Sequence, residues 1–444
     1  MPFTRRDFLS RGSLFMAMGV TAPTFLTTTA RALAAQSGAC PTGADNKRIL
    51  VVVQLGGGND GLNSVVPYAD PLYRQARPTL GVAEKDVLTV SDKVGFNPKL
   101  TAFKDLFDQK HMAMVQGVGY PNPNRSHFRS TDIWTSAVPD TLESTGWLGR
   151  FLDAQCSGED KRLHAVDVGT TVSRLFWTGQ SIVPAISSIE TFDFEADARF
   201  PDDRVNQIDA LKLLNGGATG AAGASYDDYI RQVSIDALAT SDELKRIASG
   251  YKSTIEYPQT PFADGLKTIA KIIQGDLGTR IFHITLGGFD THATQTLRHD
   301  QLLQTVGDGV QAFMHDLEGI GRADDVMIMT FSEFGRRVAE NASGGTDHGA
   351  AAPLWLIGGG VKPGILGDHP SLSDLDDGDL KFGVDFRSVY GTLLEDWLGA
   401  PSSGIIGTSD FPKLGFVRDP LVIPTAGLTL PNGSATRYTA MAAD

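Results

Sequence analysis

Several short apolar runs in this chain lead into loops that carry Asp, Glu or His. Asn59-Asp60 follows the run Ile49–Leu55, and Asp290-Thr291-His292 follows Ile281–Leu286. Glu333 follows Val326–Phe331, and Asp347-His348 comes shortly after it. Asp, Glu and His together are the donor set of a divalent metal site. In an open α/β sheet the ends of parallel strands share one edge, where ligands bind, so residues far apart in sequence can meet there. The chain reads as a metal-dependent α/β enzyme. Asp60, Asp290, His292, Glu333, Asp347 and His348 are expected to hold one or two divalent ions, and these residue types do not separate Zn from Mn, Mg or Ca.

Each candidate has a plainer reading. Gly56–Gly61 fits Gly-x-Gly-x-x-Gly, but a dinucleotide site needs a helix opening at once behind the glycines. Leu62-Asn63-Ser64-Val65-Val66-Pro67 is poor helix material, and no Gly-Lys-Ser/Thr of a phosphate loop is present. Asp60 can also simply cap a tight turn. Asp290 and His292, two apart, point the same way in an extended segment, although a loop histidine can be satisfied without metal. In the adjacent pair Asp347-His348, one residue can ligate while the other supports it. Glu333 ends an apolar strand and needs a partner, either a metal or Arg336 or Arg337.

The nucleophile candidate is Ser126 in Asn124-Arg125-Ser126-His127-Phe128-Arg129, where a turn becomes a helix. Its hydroxyl either caps the helix or lies in the positive field of the helix end, beside amides that bind oxyanions. A divalent ion on that oxygen would make it a usable nucleophile. Arg125 and Arg129 would then hold the other oxygens of a phosphate or sulfate. His127 is either the acid for the leaving group or packed under the cap. A Ser-His-Asp hydrolase is the competing enzyme class, but no Gly-x-Ser-x-Gly elbow occurs in the chain.

The elements that would position these residues alternate. Strands are expected at Lys47–Leu55, Met112–Val118, Leu163–Val168, Arg280–Leu286, Asp325–Phe331 and Leu354–Ile357. Helices are expected at Leu100–Gln109, Ser126–Ser136, Trp147–Gln155, Leu297–Gly319 and Asp385–Leu398. That order implies a mainly parallel central sheet with helices on both faces. Residues 46–400 form the α/β domain, with a helical insertion or cap over about 190–275. Residues 401–444, rich in Pro, Gly and Ser, are expected to wrap the surface.

The N-terminus carries Arg5-Arg6-x-Phe8-Leu9, a weakly apolar stretch and Ala32-Leu33-Ala34, the pattern of a twin-arginine export signal with cleavage after Ala34. The expected location is periplasmic or secreted, with the twin-arginine export machinery as a partner. The chain is acidic, net −13, and loss of four Arg and one Asp with residues 1–34 leaves about −16. That balance excludes nucleic acid and anionic membrane faces as partners. No stretch after the signal is apolar enough to span a bilayer. Cys40 and Cys156 are the two cysteines, and the sequence leaves a disulfide between them open.

The set of motifs resembles one family. Gln-Leu-Gly-Gly-Gly-Asn-Asp-Gly at 54–61, Asn-Arg-Ser-His-Phe at 124–128, Gly-Gly-Phe-Asp-Thr-His at 287–292, Phe-Ser-Glu-Phe-Gly-Arg at 331–336 and Thr-Asp-His-Gly at 346–349 are similar to a bacterial family of exported proteins, the domain of unknown function DUF1501. That family is placed near the alkaline phosphatase and sulfatase superfamily. The resemblance implies an alkaline phosphatase-like core with a metal centre at the sheet edge. It gives Asp60, Asp290, His292 and His348 as ligands and Ser126 as the helix-start nucleophile. Three features depart from the superfamily pattern. Phe334 follows Glu333 where a His is usual, Asp290 and His292 are closely spaced, and no Cys/Ser-x-Pro-x-Arg stands at the nucleophile. The last disfavours a formylglycine sulfatase. The expected function is hydrolysis of phosphate esters ahead of sulfate esters, on a small-molecule or glycan substrate. The alternative is a non-catalytic envelope or binding protein that keeps the fold and a metal.

Overall fold

The computed structural model describes residues 46–155, 163–178, 183–189, 201–215, 244–407 and 411–421. The export signal, Cys40, Cys156, most of the Gly/Ala-rich stretch and the end of the C-terminal tail lie outside them. One sheet organises the described chain. Its strands are β1 (Ile49–Gly56), β2 (Met112–Gly119), β3 (Ala165–Val168), β4 (Ile281–Gly287), β5 (Val326–Phe331), β6 (Ala352–Ile357), β7 (Gly364–Leu366) and β8 (Val384–Asp385). The order across the sheet is β7-β2-β6-β5-β1-β4-β3, with β8 also on β2. Strand β1 runs parallel to both β4 and β5, in register from Leu50 opposite Ile281 and Ile49 opposite Val326. Strand β6 is antiparallel to β2 and β5. The mixed, mostly parallel α/β architecture is the one expected from the sequence.

The β-branched run of β1 is buried on both faces, as a central parallel strand must be. Ile49, Val51, Val53 and Leu55 pack on one side with β5 residues Val326 and Ile328. Leu50 and Val52 pack on the other with Met327, Met329 and Phe331. The first face is covered by helices α1 (Thr101–Asp108), α4 (Pro261–Gln274) and α5 (Gln295–Gly319). The second is covered by α2 (His127–Ser136), α3 (Trp147–Gln155), α6 (Phe386–Thr392) and the π-helical turn Leu393–Leu398. Apolar spacing on α4 turns Phe262, Leu266, Ile269 and Ile273 inward. This helix, at the end of the stretch expected to form a cap, therefore belongs to the core. A helix at Pro201–Asn215 is also described. Among the described residues no helix is long and apolar enough to cross a membrane.

The parallel strands β1, β4 and β5 all end at one edge. Because β6 runs the other way, the loop entering it starts from that same edge. The loops after Gly56, Gly287 and Phe331 and the loop before Ala352 therefore share one rim, joined by the start of α2 after β2.

Candidate metal centre

The rim loops are drawn together by close backbone contacts. Gly57, at φ +119°, passes so near the next loop that a Cβ there would lie 2.4 Å from the Asp290 amide nitrogen. At Gly58, φ +79°, it would lie 2.3 Å from the Phe334 ring. The chain from Glu333 to His348 folds back on itself. Arg336 pairs with His348 in an antiparallel bridge, Arg337 N donates to Asp347 O, and Gly349 N donates to Gly335 O. Buried Arg336 then fastens three loops: it donates to Gly58 O at 2.7 Å, Thr346 O at 2.8 Å and Asp290 Oδ1 at 2.8 Å, and also to Gly57 O and Phe289 O. The two N–H groups of Nη2 are shared among Gly57 O, Phe289 O and Asp290 Oδ1, while Nε and Nη1 serve the other two acceptors.

Around Asp290 the loops place three imidazoles. His292 Nε2 is 3.0 Å from Asp290 Oδ1, His348 Nε2 is 3.1 Å from the same oxygen, and the two nitrogens are 2.9 Å apart. His127 Nε2 is 3.5 Å from Asp290 Oδ2. The His127, Asp290 and His348 donor atoms all lie within 4.8 Å of one another.

Each ring is fixed from behind. His127 Nδ1 meets Glu333 Oε1 at 2.8 Å, His348 Nδ1 meets Arg125 O at 2.8 Å, and His292 Nδ1 meets Asp347 Oδ1 at 3.3 Å. Carboxylates and carbonyls only accept, so each Nδ1 carries the proton, and in the neutral form of each ring Nε2 offers a lone pair toward Asp290. Lone pairs on His292 and His348 facing each other at 2.9 Å, beside a carboxylate, require a proton or a cation between them. The buried His127 Nε2 has no hydrogen-bond partner among the described residues. Carboxylate or carbonyl behind imidazole, with Nε2 in front, is the usual support of a metal-binding histidine. Tetrahedral donors at 2.0–2.1 Å from zinc lie about 3.3 Å apart, close to the spacing found here. The donor set fits a divalent ion.

The charges agree. Burial pushes the Asp290 carboxyl up, but contacts with Arg336 and His348 outweigh it and hold the group down at about 2. Burial lowers His348 below the usual imidazole value, against the pull of Asp290. Asp347, held chiefly by its hydrogen bond from Asn341, also stays below the ordinary carboxylate range.

Three expected residues stand elsewhere. Asp60 is completely buried, and its carboxylate is taken up by Arg77 at 2.6 and 2.8 Å and by Gln295. Burial would raise its pKa, yet Arg77 keeps it lowered. It caps the single helical turn Gly61–Ser64, so the turn-capping reading is the one realised. Arg125 pairs with Asp379 at 2.6 Å and Asp377 at 3.2 Å. Arg129 donates to the carbonyls of Pro139 and Thr141. The two carboxylates neutralise Arg125, whereas Arg129 is held only by neutral carbonyls through Nη2, and its buried Nη1 has no hydrogen-bond partner among the described residues.

Glu333 and Asp347 reach the centre through the rings they hold, while His127 stands with the donor atoms. Ser126 is the exposed N-cap residue of α2, and its side chain caps no amide. Sequence reasoning missed Arg77 and Gln295, for which no local signal exists, and offered Arg336 only as a partner for Glu333, whereas it pairs with Asp290.

Residues 46–395 match the family described as protein of unknown function, DUF1501. The chain belongs to that family. No curated protein matches this DUF1501 member. Among solved structures it is similar to a protein in the alkaline phosphatase superfamily from Vibrio parahaemolyticus, with TM-score 0.38, 11% identity, and coverage of 88% of this chain and 79% of that one. It is also similar to the lipoteichoic acid synthase LtaP from Listeria monocytogenes, at TM-score 0.35, 11% identity, and coverage of 88% and 81%. A third is the PsFucS1 sulfatase from Pseudoalteromonas sp., at TM-score 0.34, 10% identity, and coverage of 90% and 76%. These likenesses are remote, and the chemistry of this DUF1501 protein has to be read from its own side chains.

Proposed function

We propose that this protein is an exported metal-dependent hydrolase of phosphate esters, favoured over sulfate esters. The observation that carries the reading is the set of imidazoles held from behind at Nδ1, with Nε2 directed at Asp290. Asp290, His292 and His348 are the ligands of one ion, since Asp60, the residue expected to help hold another, is neutralised by Arg77. Two imidazoles and a carboxylate suit Zn, Mn or another transition ion better than Mg or Ca, which take oxygen donors. Bound there, the ion supplies Lewis-acid polarisation of an ester oxygen.

The chain supplies the rest. Ser126 Oγ, at the start of α2, attacks the ester. The helix end favours the developing negative charge. His127, with its ring fixed by Glu333, accepts the hydroxyl proton at Nε2 and returns it to the leaving alcohol, as an oriented imidazole does in acyl-transfer enzymes; water, giving its proton to the same nitrogen, then displaces the phosphoryl group from Ser126 Oγ, which takes the proton back. Arg5-Arg6 and the following segment would carry the protein through the twin-arginine route. The substrate is a small-molecule or glycan ester.

One observation favours a second reading. If His127 Nε2, 3.5 Å from Asp290 Oδ2, is a fourth ligand, the centre is closed in the manner of structural sites, and the protein binds without turnover. The purified chain is assayed for bound metal and for hydrolysis of chromogenic phosphate monoesters, phosphate diesters and sulfate esters. Ser126→Ala is expected to abolish turnover with metal content unchanged, and His127→Gln to do the same. Turnover surviving Ser126→Ala refutes the nucleophile. Metal loss in His127→Gln, without turnover in the wild type, establishes the closed site.

A further inference from the structure

A second set of polar groups lies outside the metal centre, on the sheet face covered by α2. Strand register places Asp167 beside His283, and Gln54 beside Thr285. All four side chains share the face of Leu50 and Val52, because alternate residues of a strand point the same way. Between this face, α2 and the loop after β3 is a cleft of about 400 Å³, lined among others by these four residues and by Thr131 and Thr171.

At its floor His283 and Asp167 are both nearly fully buried. His283 Nδ1 is 2.9 Å from Asp167 Oδ1, and the other carboxylate oxygen accepts from Ser173 N. His283 Nε2 is buried without a hydrogen-bond partner among the described residues. Leaving such an atom unsatisfied costs about 1–3 kcal/mol, and His283 is one of the residues that line the cleft. The carboxylate requires a proton on Nδ1, so Nε2 accepts in the neutral ring and donates in the charged one. A hydroxyl group can meet either state, since it both donates and accepts.

The walls narrow the class of occupant further. Gln54, Thr131, Thr171 and Thr285 form no side-chain hydrogen bond among the described residues, so their donors and acceptors are free; Thr171 and Thr285 are exposed at the mouth. The charged lining groups are already paired: Asp167 as above, and Arg174 with Asp132. Among the described residues an anion would find no free cation, a cation no free carboxylate, and an apolar group too many unmet hydroxyls.

We propose that this cleft binds a neutral polyhydroxylated group, a sugar or polyol, with one hydroxyl seated on His283 Nε2. The site does not depend on the hydrolase reading.

The test titrates the full chain with D-glucose, N-acetylglucosamine, glycerol and myo-inositol, and separately with inorganic phosphate. Calorimetry reads binding, and imidazole 15N resonances read His283. Saturable binding of at least one sugar or polyol, with a shift of the His283 Nε2 resonance, is expected. His283→Phe and Thr285→Val should each weaken it by about tenfold, the loss of one hydrogen bond at the upper end of its usual worth. Thr285 is exposed, so its variant stays informative if the buried His283 change disturbs folding. Binding of none of the four, binding of phosphate in this cleft instead, or binding unmoved by Thr285→Val in a folded variant overturns the proposal. No arm reads turnover or bound metal, so a failed hydrolase assay leaves the result interpretable.

Discussion

The sharpest consequence of the centre concerns Glu333, which touches His127 rather than any of the three closest donors. One oxygen, Oε1, accepts from both Gly57 N and His127 Nδ1 at 2.8 Å. In Glu333→Gln the amide oxygen can accept both bonds in the same place, so geometry is kept and only charge is lost. Stability should fall by about 1 kcal/mol or less, the difference between a charge-assisted bond and a neutral one. Turnover should fall by about 10²–10⁴, the usual worth of an oriented proton carrier. Glu333→Ala removes both bonds and strands a partly buried amide, which adds about 1–3 kcal/mol of destabilisation. Steady-state rates on a chromogenic phosphate ester, urea unfolding and metal content are measured on the same preparations. Metal content should stay at the wild-type value in Glu333→Gln. Wild-type turnover in that variant would refute the reasoning, since the ring would then need no carboxylate behind it.

Other changes test other parts of the site. Asp60→Asn leaves the buried Arg77 guanidinium without a counter-charge and should cost about 3–5 kcal/mol in urea unfolding, with bound metal undiminished; metal loss would return Asp60 to the centre. His292→Ala and His348→Ala should each remove the ion, read by elemental analysis after dialysis, whereas Asp347→Asn should weaken retention only about 10–100-fold. Burial lowers His299 to about 4 despite the pull of nearby Asp60. Its folded value lies below the ordinary imidazole value of 6.5, so the stability it contributes is present above that pH and is lost as pH falls toward 4. The amount is about 3 kcal/mol. His299→Gln can still donate to Asn59 Oδ1, the present partner at 3.0 Å, and should flatten that acid limb. An unchanged difference between wild type and variant from pH 7.5 to pH 4 would show that the imidazole is not held neutral.

What was legible in the sequence was whatever local pattern controls. The β-branched run at Ile49–Val53 and the apolar run at Val326–Phe331 can be satisfied only by burial on two faces, so the layered sheet followed from them. Asp290, His292 and His348 were legible as a group because each stands in a glycine-marked loop at a strand end, where side chains converge. Direction was not legible. Arg77 lies 17 residues from Asp60 on a different element, and nothing local says that it turns inward. Arg125 faces Asp379 because the segment Asp377–Asp379 packs beside α2, a contact set by tertiary folding alone. That Glu333 meets His127 had the same origin, since a carboxylate that can reach a metal can equally reach the ring beside it.

Under the proposed reading, these contacts leave donors for one ion rather than two. Asp60 and Asp290 sit in neighbouring loops, and each has a buried arginine as partner, Arg77 for the first and Arg336 for the second. The difference lies in how much carboxylate each arginine uses. Arg77 meets both oxygens of Asp60, and Gln295 adds a third contact, so no lone pair is left facing the rim. Arg336 spends its other donors on the carbonyls of Gly57, Gly58, Phe289 and Thr346 and touches only Oδ1 of Asp290. That carboxylate stays about 45% exposed, charged at any neutral pH, and in contact with the imidazole nitrogens. One arginine thus closes a carboxylate, whereas the other holds three loops still and leaves a carboxylate open to a cation.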